Sequence, residues 1–222
     1  PSSTDTTVSY TVAGGSASVG VDFTSPAASG TVVIPQGSTD VTLPLAISQD
    51  NLLEGNETVR VTLIGAVVGD PQISISTLAA ENRSTVTITD DDTATPTITI
   101  STLAAAPAIL QVNEGDSNKT RLFVVNLGKV NNTGGPITLG YTFTGSATPG
   151  ADFTGSAAAG SVVIANAGSN ATVTVTISDD LLLESSEIAN MSLTSTSYAS
   201  VLIAGVQNSI TILDNDTATI SL

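Results

Sequence analysis

The sequence predicts an all-β protein made of two tandem β-sandwiches. Three observations carry that prediction. Apolar and polar residues alternate along short runs, turn-forming residues interrupt the runs, and a long series of motifs occurs twice. Val41, Leu43, Leu45 and Ile47 alternate with polar or small residues, as do Val59, Val61 and Leu63, and Val173, Val175 and Ile177. Period two puts one set of side chains on the inner face of a strand and the other outward. Gly, Pro, Asn and Asp separate the runs, as tight turns require. No amphipathic helix is legible. Leu181-Leu182-Leu183 is too short for one and lies between acids, where a loop is expected. Several short strands per repeat point to two packed sheets.

The repeat is read directly. Y-T-V-A-G-G-S-A-S-V-G-V-D-F-T from Tyr10 matches Y-T-F-T-G-S-A-T-P-G-A-D-F-T from Tyr141. G-T-V-V-I from Gly30 matches G-S-V-V-I from Gly160, and I-S-Q-D-N-L-L-E from Ile47 matches I-S-D-D-L-L-L-E from Ile177. V-T-I-T-D-D-D-T-A-T from Val86 matches I-T-I-L-D-N-D-T-A-T from Ile210. Matching positions lie about 124–131 residues apart, a domain-sized period rather than a solenoid's. The expected boundaries are residues 1–92 and 93–216, with 217–222 opening a following repeat or forming a donor strand.

Composition narrows the function. The chain has no Cys and no His, which excludes a disulfide scaffold, a Cys/His zinc site and a Ser-His-Asp triad. A net charge of −15 repels nucleic acid and anionic membranes. No apolar run approaches the roughly 20 residues of a membrane-spanning helix. Four Phe, three Tyr and no Trp leave little surface on which a sugar or base can stack, so paired-carboxylate glycoside hydrolysis is disfavoured and no enzyme is expected. Thr-rich strands with few lysines fit an extracellular or cell-surface protein. Seven Asn-x-Ser/Thr sequons, at Asn56, Asn82, Asn118, Asn131, Asn170, Asn190 and Asn215, are read as chance in a chain so rich in Ser and Thr.

The acids are not scattered. Of 20 carboxylates, those of the repeated motifs form one set at Asp22, Asp50, Glu54, Glu57 and Asp90-Asp91-Asp92. A second set comprises Glu114, Asp152, Asp179, Asp180, Glu184, Glu187, Asp214 and Asp216. Like charges gathered this closely need counter-charge, and five Lys and Arg do not supply it. A hard divalent cation does, and Ca²⁺ takes six to eight oxygen ligands of this type. Asp5, Asp40, Asp70 and Glu81 lie outside the motifs and are read as solvated loop residues.

These residues resemble the Calx-beta family over nearly the whole chain. Its marks are V-N-E-G-D from Val112, G-x-D-F-T from Gly20 and Gly150, and D-x-x-x-E-x-x-E from Asp50 and Asp180. The closing D-D-D or D-N-D followed by T-A-T completes the series. The resemblance implies an immunoglobulin-like sandwich of about seven strands per unit. It also implies calcium, about three ions per unit, held in loops at one end beside the junction to the next domain. The ligands it implies are Asp22, Asp50, Glu54, Asp90, Asp91 and Asp92 in the first unit. In the second they are Glu114, Asp152, Asp179, Asp180, Glu184, Asp214 and Asp216. Glu57 and Glu187 are left out, because each can face outward at the start of its strand. Gln49 and Asn215 stand where the pattern has acids.

The first unit has no counterpart of Thr97–Ser101, V-N-E-G-D or Arg121–Leu127, so it is expected to lack its N-terminal strands. Thr217–Leu222 reads T-A-T-I-S-L and repeats the T-A-T that opens the second unit. The expected role is a calcium-stiffened structural module of an adhesin stalk or filament. Its partners are neighbouring repeats or copies of itself, joined in the sharper form by strand complementation. The alternatives are a glycan- or surface-binding adhesin and a calcium-responsive regulatory domain.

Overall fold

In a computed structural model the chain is all-β, described for residues 1–13, 15–101 and 110–221. It divides into two compact units, Pro1–Asn51 with Gly55–Asp91, and Leu52–Glu54 with Asp92–Leu222. The strands are β1 (Thr6–Val12), β2 (Phe23–Ser25), β3 (Ser29–Ile34), β4 (Ala46–Ile47), β5 (Leu53–Glu54), β6 (Glu57–Val68) and β7 (Arg83–Ile88). There follow β8 (Thr97–Ser101), β9 (Gln111–Asn113), β10 (Thr120–Asn126), β11 (Asn131–Asn132), β12 (Ile137–Thr144) and β13 (Phe153–Thr154). The last are β14 (Ala159–Ile164), β15 (Asn170–Ile177), β16 (Glu187–Thr196) and β17 (Gln207–Leu213).

The second unit is a complete sandwich. One sheet has the order β13-β15-β10-β8 and the other β14-β12-β16-β17-β9. Within these two sheets pairing is antiparallel except for β9 on β17, which is parallel. Alternation is visible as burial: Leu139, Tyr141 and Phe143 of β12 face inward, as do Val173, Val175 and Ile177 of β15. Three phenylalanines tie the sheets. Phe143 packs edge-on to Phe123 with centroids 5.3 Å apart, and at 5.1 Å from Phe153. Edge and tilted contacts of this kind match the positive ring edge to the negative ring face. The short strand β5 belongs to this unit, pairing parallel with β11 and burying Leu53 in its core.

The first unit reproduces one sheet and a fragment of the other. Its order β3-β1-β6-β7 matches β14-β12-β16-β17, with Tyr10 opposite Gly30 as Tyr141 is opposite Gly160. Both glycines are sterically required, since an added Cβ would lie 2.6 Å from the tyrosine hydroxyl in each case. The second sheet is only β2-β4. Among the described residues it holds no counterpart of β8 or β10, as the sequence leads one to expect. The alternation at Val41, Leu43 and Leu45 predicts a strand, but only Ala46–Ile47 form one. The reason is pairing. The matching strand β15 is paired with β10, and among the described residues no strand of the first unit pairs there.

One acid departs from its sequence reading. Asp70 is buried, not solvated: its carboxylate accepts the Ser3 amide at 2.7 Å and the Gln72 amide at 2.9 Å. Those backbone donors hold its pKa below the ordinary range.

In the second unit, Phe143→Ala should cost about 3–5 kcal/mol, by lost transfer energy plus a cavity. Val163→Ala, at an exposed position, should change stability by no more than about 0.5 kcal/mol. Urea denaturation followed by tyrosine fluorescence compares the two.

Candidate metal centre

Four backbone devices build the acidic end of the second unit. The first is the G-x-D-F-T turn. Gly150 takes a left-handed φ of 94°, the Gly150 amide donates to the Phe153 carbonyl at 2.8 Å, and Asp152 accepts the Thr148 amide at 2.5 Å. Phe153, fully buried, anchors the turn, so Asp152 cannot drift from the sandwich. The second device is the parallel pair of β9 and β17, which sets Asn113 beside Leu213 and carries Glu114 to the start of the D-N-D run. Gly115 permits this approach, because a Cβ there would meet the Asn215 amide nitrogen at 2.7 Å. The third is the D-N-D turn itself, in which Asp214 accepts the Asp216 amide at 2.8 Å and the Glu184 amide at 2.9 Å. The fourth is the loop after β15, where Asp180 accepts the Leu182 amide at 2.7 Å.

The product is two groups of carboxylates. Glu114, Asp214 and Asp216 bring one oxygen each within 4.8 Å of one another, and Asp152, Glu184 and Glu187 do the same. The Glu184–Asp214 hydrogen bond links the groups. Buried oxygens of Glu114, Asp216 and Glu187 have no hydrogen-bond partner. An oxygen that is both desolvated and unpartnered is costly in a protein unless something coordinates it.

Electrostatics follow from the crowding. Burial raises the pKa of Glu114, and the charges of Asp180, Asp214, Glu184 and Asp216 raise it further. Glu184 is raised by desolvation and then by Asp180 and Asp152. Asp216 is raised by desolvation and then by Asp214 and Asp180. Glu187 is pushed up to about 7, by desolvation first, then by its hydrogen bond with Asp152 and the neighbouring charges. Asp214 moves the other way, held down by the amides of Asp216 and Glu184. Asp179 is also lowered, by its hydrogen bond from Lys119, an ion pair of 2.7 Å.

All seven carboxylates expected in the second unit therefore lie at this end, five of them in the two groups, with Asp179 and Asp180 acting on group members through their charge. Asp179 is partly occupied by Lys119. Glu187 was set aside by the sequence reading, yet it completes the Asp152 group. Its signal was the repeated spacing in D-x-x-x-E-x-x-E, which the chance of an outward rotamer outweighed.

In the first unit the same turn recurs. Gly20 has φ 85°, Asp22 accepts the Ser18 amide at 2.5 Å, and Phe23 is fully buried. Glu57, also set aside, brings a carboxylate oxygen within 4.8 Å of Asp22. Asp90 and Asp91 approach each other within the same limit, and Gln49 donates to Asp91 at 3.3 Å. Asp50 is exposed just beyond β4. Glu54 sits in β5 and thus in the second unit, where its backbone oxygen accepts the Tyr198 hydroxyl. Asp92 is likewise in the second unit and pairs with Lys129 at 2.7 Å.

The donor set is all oxygen, carboxylate and amide, with no soft ligand. It suits a hard cation such as Ca²⁺ rather than a thiolate- or imidazole-seeking metal. In the absence of metal, the raised groups hold protons more tightly folded than unfolded. The stability this gives is full below the ordinary glutamate value of 4.5 and is lost as pH rises through about 7. The metal-free protein should therefore melt lower at pH 8 than at pH 5.5. Glu187→Gln should raise the melting temperature at pH 8 and flatten this dependence, as calorimetry in chelator-treated buffer will show.

A search of curated protein sequences finds no match. Among solved structures, CBD12 from CALX1.2 is 21% identical with a TM-score of 0.36, over 90% of this chain and 71% of that one. The calcium binding domain CBD12 of CALX1.1 is 19% identical with a TM-score of 0.34, over 89% and 70%. The apo-form Calx CBD1 domain is 18% identical with a TM-score of 0.42, over 56% of this chain and all of that one. The family model of the Calx-beta domain matches residues 2–92 and again 101–216, and so the chain belongs to the Calx-beta family, as two tandem copies.

Proposed function

We propose that this chain is a calcium-binding structural repeat module of an extracellular adhesin stalk or filament, joined to neighbouring repeats or copies of itself. One observation carries the calcium reading: carboxylates from four separate segments converge at one end of the second unit, with three buried oxygens left unpartnered. Packing alone gives no reason to gather them. A bound dication turns their mutual repulsion into attraction and supplies the missing partners. Glu114, Asp214 and Asp216 would hold one ion, and Asp152, Glu184 and Glu187 another, with Asp180 between them. In the first unit Asp22, Glu57, Asp50, Asp90 and Asp91 are the corresponding donors. With several ions bound, most of the −15 charge is neutralised. The acidic run ahead of Pro96 then loses freedom, and a flexible string of modules becomes a rod.

The structural reading is preferred to an adhesive one because sugar-stacking aromatics are few, and the phenylalanines and Tyr141 are spent on the core.

Titration calorimetry should detect Ca²⁺ uptake, with dissociation constants in the 10⁻⁴–10⁻³ M range of extracellular modules. At about 100-fold excess over that constant, each ion should add about 2.7 kcal/mol of stability, reversed by chelator. Calcium should also invert the metal-free pH order, making pH 8 the more stable condition. Glu114→Gln should weaken uptake while leaving the fold intact. No uptake at millimolar Ca²⁺ would overturn the reading.

A further inference from the structure

We propose that Arg121 is a positioning residue of the metal centre: it clasps the free edge of β9 and thereby holds Glu114 in place. The inference rests on reading the acidic end of the second unit as a calcium site.

Arg121 occupies a core position. Along β10 the side chains of Arg121, Phe123 and Val125 are buried and those between them half-buried. Phe123 and Val125 are apolar, as an inner face requires, but Arg121 puts a guanidinium there at 2% exposure. A charge in such a place is costly unless it is paired. Among the described residues Arg121 makes no ion pair, and its Nε has no hydrogen-bond partner. Burial pulls its pKa down, and the charge of Asp116 offsets part of that pull. Stability gives no reason for an arginine here, since an apolar side chain of similar volume would serve the core as well or better.

What the guanidinium touches is backbone. Nη1 donates to the Asn118 carbonyl at 2.8 Å and to the Thr120 carbonyl at 3.0 Å, both in or next to its own strand. Nη2 reaches across to the Gln111 carbonyl of β9 at 3.5 Å. Because β10 belongs to the four-stranded sheet and β9 to the five-stranded one, this fork ties the two sheets together.

The tie falls where β9 needs it. That strand has three residues and is held on one side only, by β17. On the paired side the Thr211 amide donates to the Leu110 carbonyl at 2.7 Å, and the Glu114 amide donates to the Leu213 carbonyl at 3.1 Å. On the open side the Gln111 carbonyl accepts Arg121, and the Asn113 amide donates to the Asp116 carboxylate at 3.1 Å. Opposite charges thus cap two polar groups that β17 does not reach. Glu114 follows β9 directly and leaves a buried oxygen unpartnered at the metal centre. The charges of Asp180, Asp214, Glu184 and Asp216 repel it there. A short pair of strands must resist this repulsion, and Arg121 braces it from the opposite sheet.

Arg121→Met removes the fork and keeps the apolar stem. A merely structural arginine would show its loss as a lower melting temperature. For a positioning residue, the metal-free melting temperature should stay level or rise. Amide exchange followed by NMR should quicken at Thr211 and Glu114, and not at Phe143 and Leu193, whose amides bond to Ala158 and Val206 in the same unit. Calcium uptake, read by titration calorimetry, should weaken by roughly 10–100-fold, the loss typical when a residue that orients a metal ligand is removed. Added to Glu114→Gln, the same substitution should weaken uptake no further, because Arg121 acts through Glu114. Arg121→Lys keeps the charge but not the planar fork that spans two strands, and it should quicken the same two amides. It decides the case if the methionine variant does not fold. A lower melting temperature with unchanged calcium uptake overturns the proposal, as does exchange that quickens evenly across the sheet or not at all. Full additivity with Glu114→Gln overturns it too. If the unmodified chain takes up no calcium, the calcium reading fails alone, since the exchange pattern is read without metal.

Discussion

The parallel pairing of β9 with β17 is the constraint on which the acidic end depends. β9 is an edge strand of the five-stranded sheet. Crossing to the other sheet and running alongside β17 sets Glu114 against Asp214 and Asp216 at the point where both strands end. The crossing also buries Val112 beside Ile212, so the core holds the carboxylate where repulsion would expel it. Packing here opposes electrostatics, and the opposition is visible in the raised pKa values of Glu114 and Asp216.

Backbone amides moderate that opposition unequally. Asp214, Asp180 and Asp152 each accept at least one amide and so act as turn formers. Glu114 and Glu187 have longer side chains that reach past the turns, and each leaves a buried oxygen unpartnered. Asp214, Asp180 and Asp152 therefore fix the loops, while Glu114, Glu187 and Asp216 keep the unpartnered oxygens. This division explains why the same turn chemistry appears at Asp22 and Asp152, although the two units differ in what surrounds them.

Much of this was legible in residue types alone. Alternation located β6 and β15, and the doubled motifs located both G-x-D-F-T turns and the acids they carry. Local signals sufficed because those features are local: a left-handed glycine, an aspartate two residues on, a buried phenylalanine. What failed was non-local. Val41, Leu43 and Leu45 have a strand's pattern, but a strand also needs a neighbour, and none of the described residues pairs with them. Asp70 looked solvated because its partner Ser3 is 67 residues distant. Glu187 was ambiguous because strand parity near a loop does not fix a side chain's direction. The desolvation that draws it toward Asp152 comes from tertiary packing.

The unit of sequence repetition and the unit of folding are not the same object. Motif by motif, Leu52–Glu54 belong with the first repeat, yet they fold with the second, where Leu53 is buried and β5 pairs with β11. A module defined by its core therefore borrows chain from the preceding motif set, and its own matching loop is left with exposed leucines. Such an offset between repeats has a physical consequence. The second unit's core includes Leu53, so Leu53→Ala would leave a cavity there although the residue's motif belongs to the first repeat. The carboxylates sit on the same loops that make the exchange: Asp180 and Glu184 flank Leu181-Leu182-Leu183, as Asp50 and Glu54 flank Leu52-Leu53. Leu53 and the carboxylates beside it thus share one short segment, and so do Leu183 and its flanking acids.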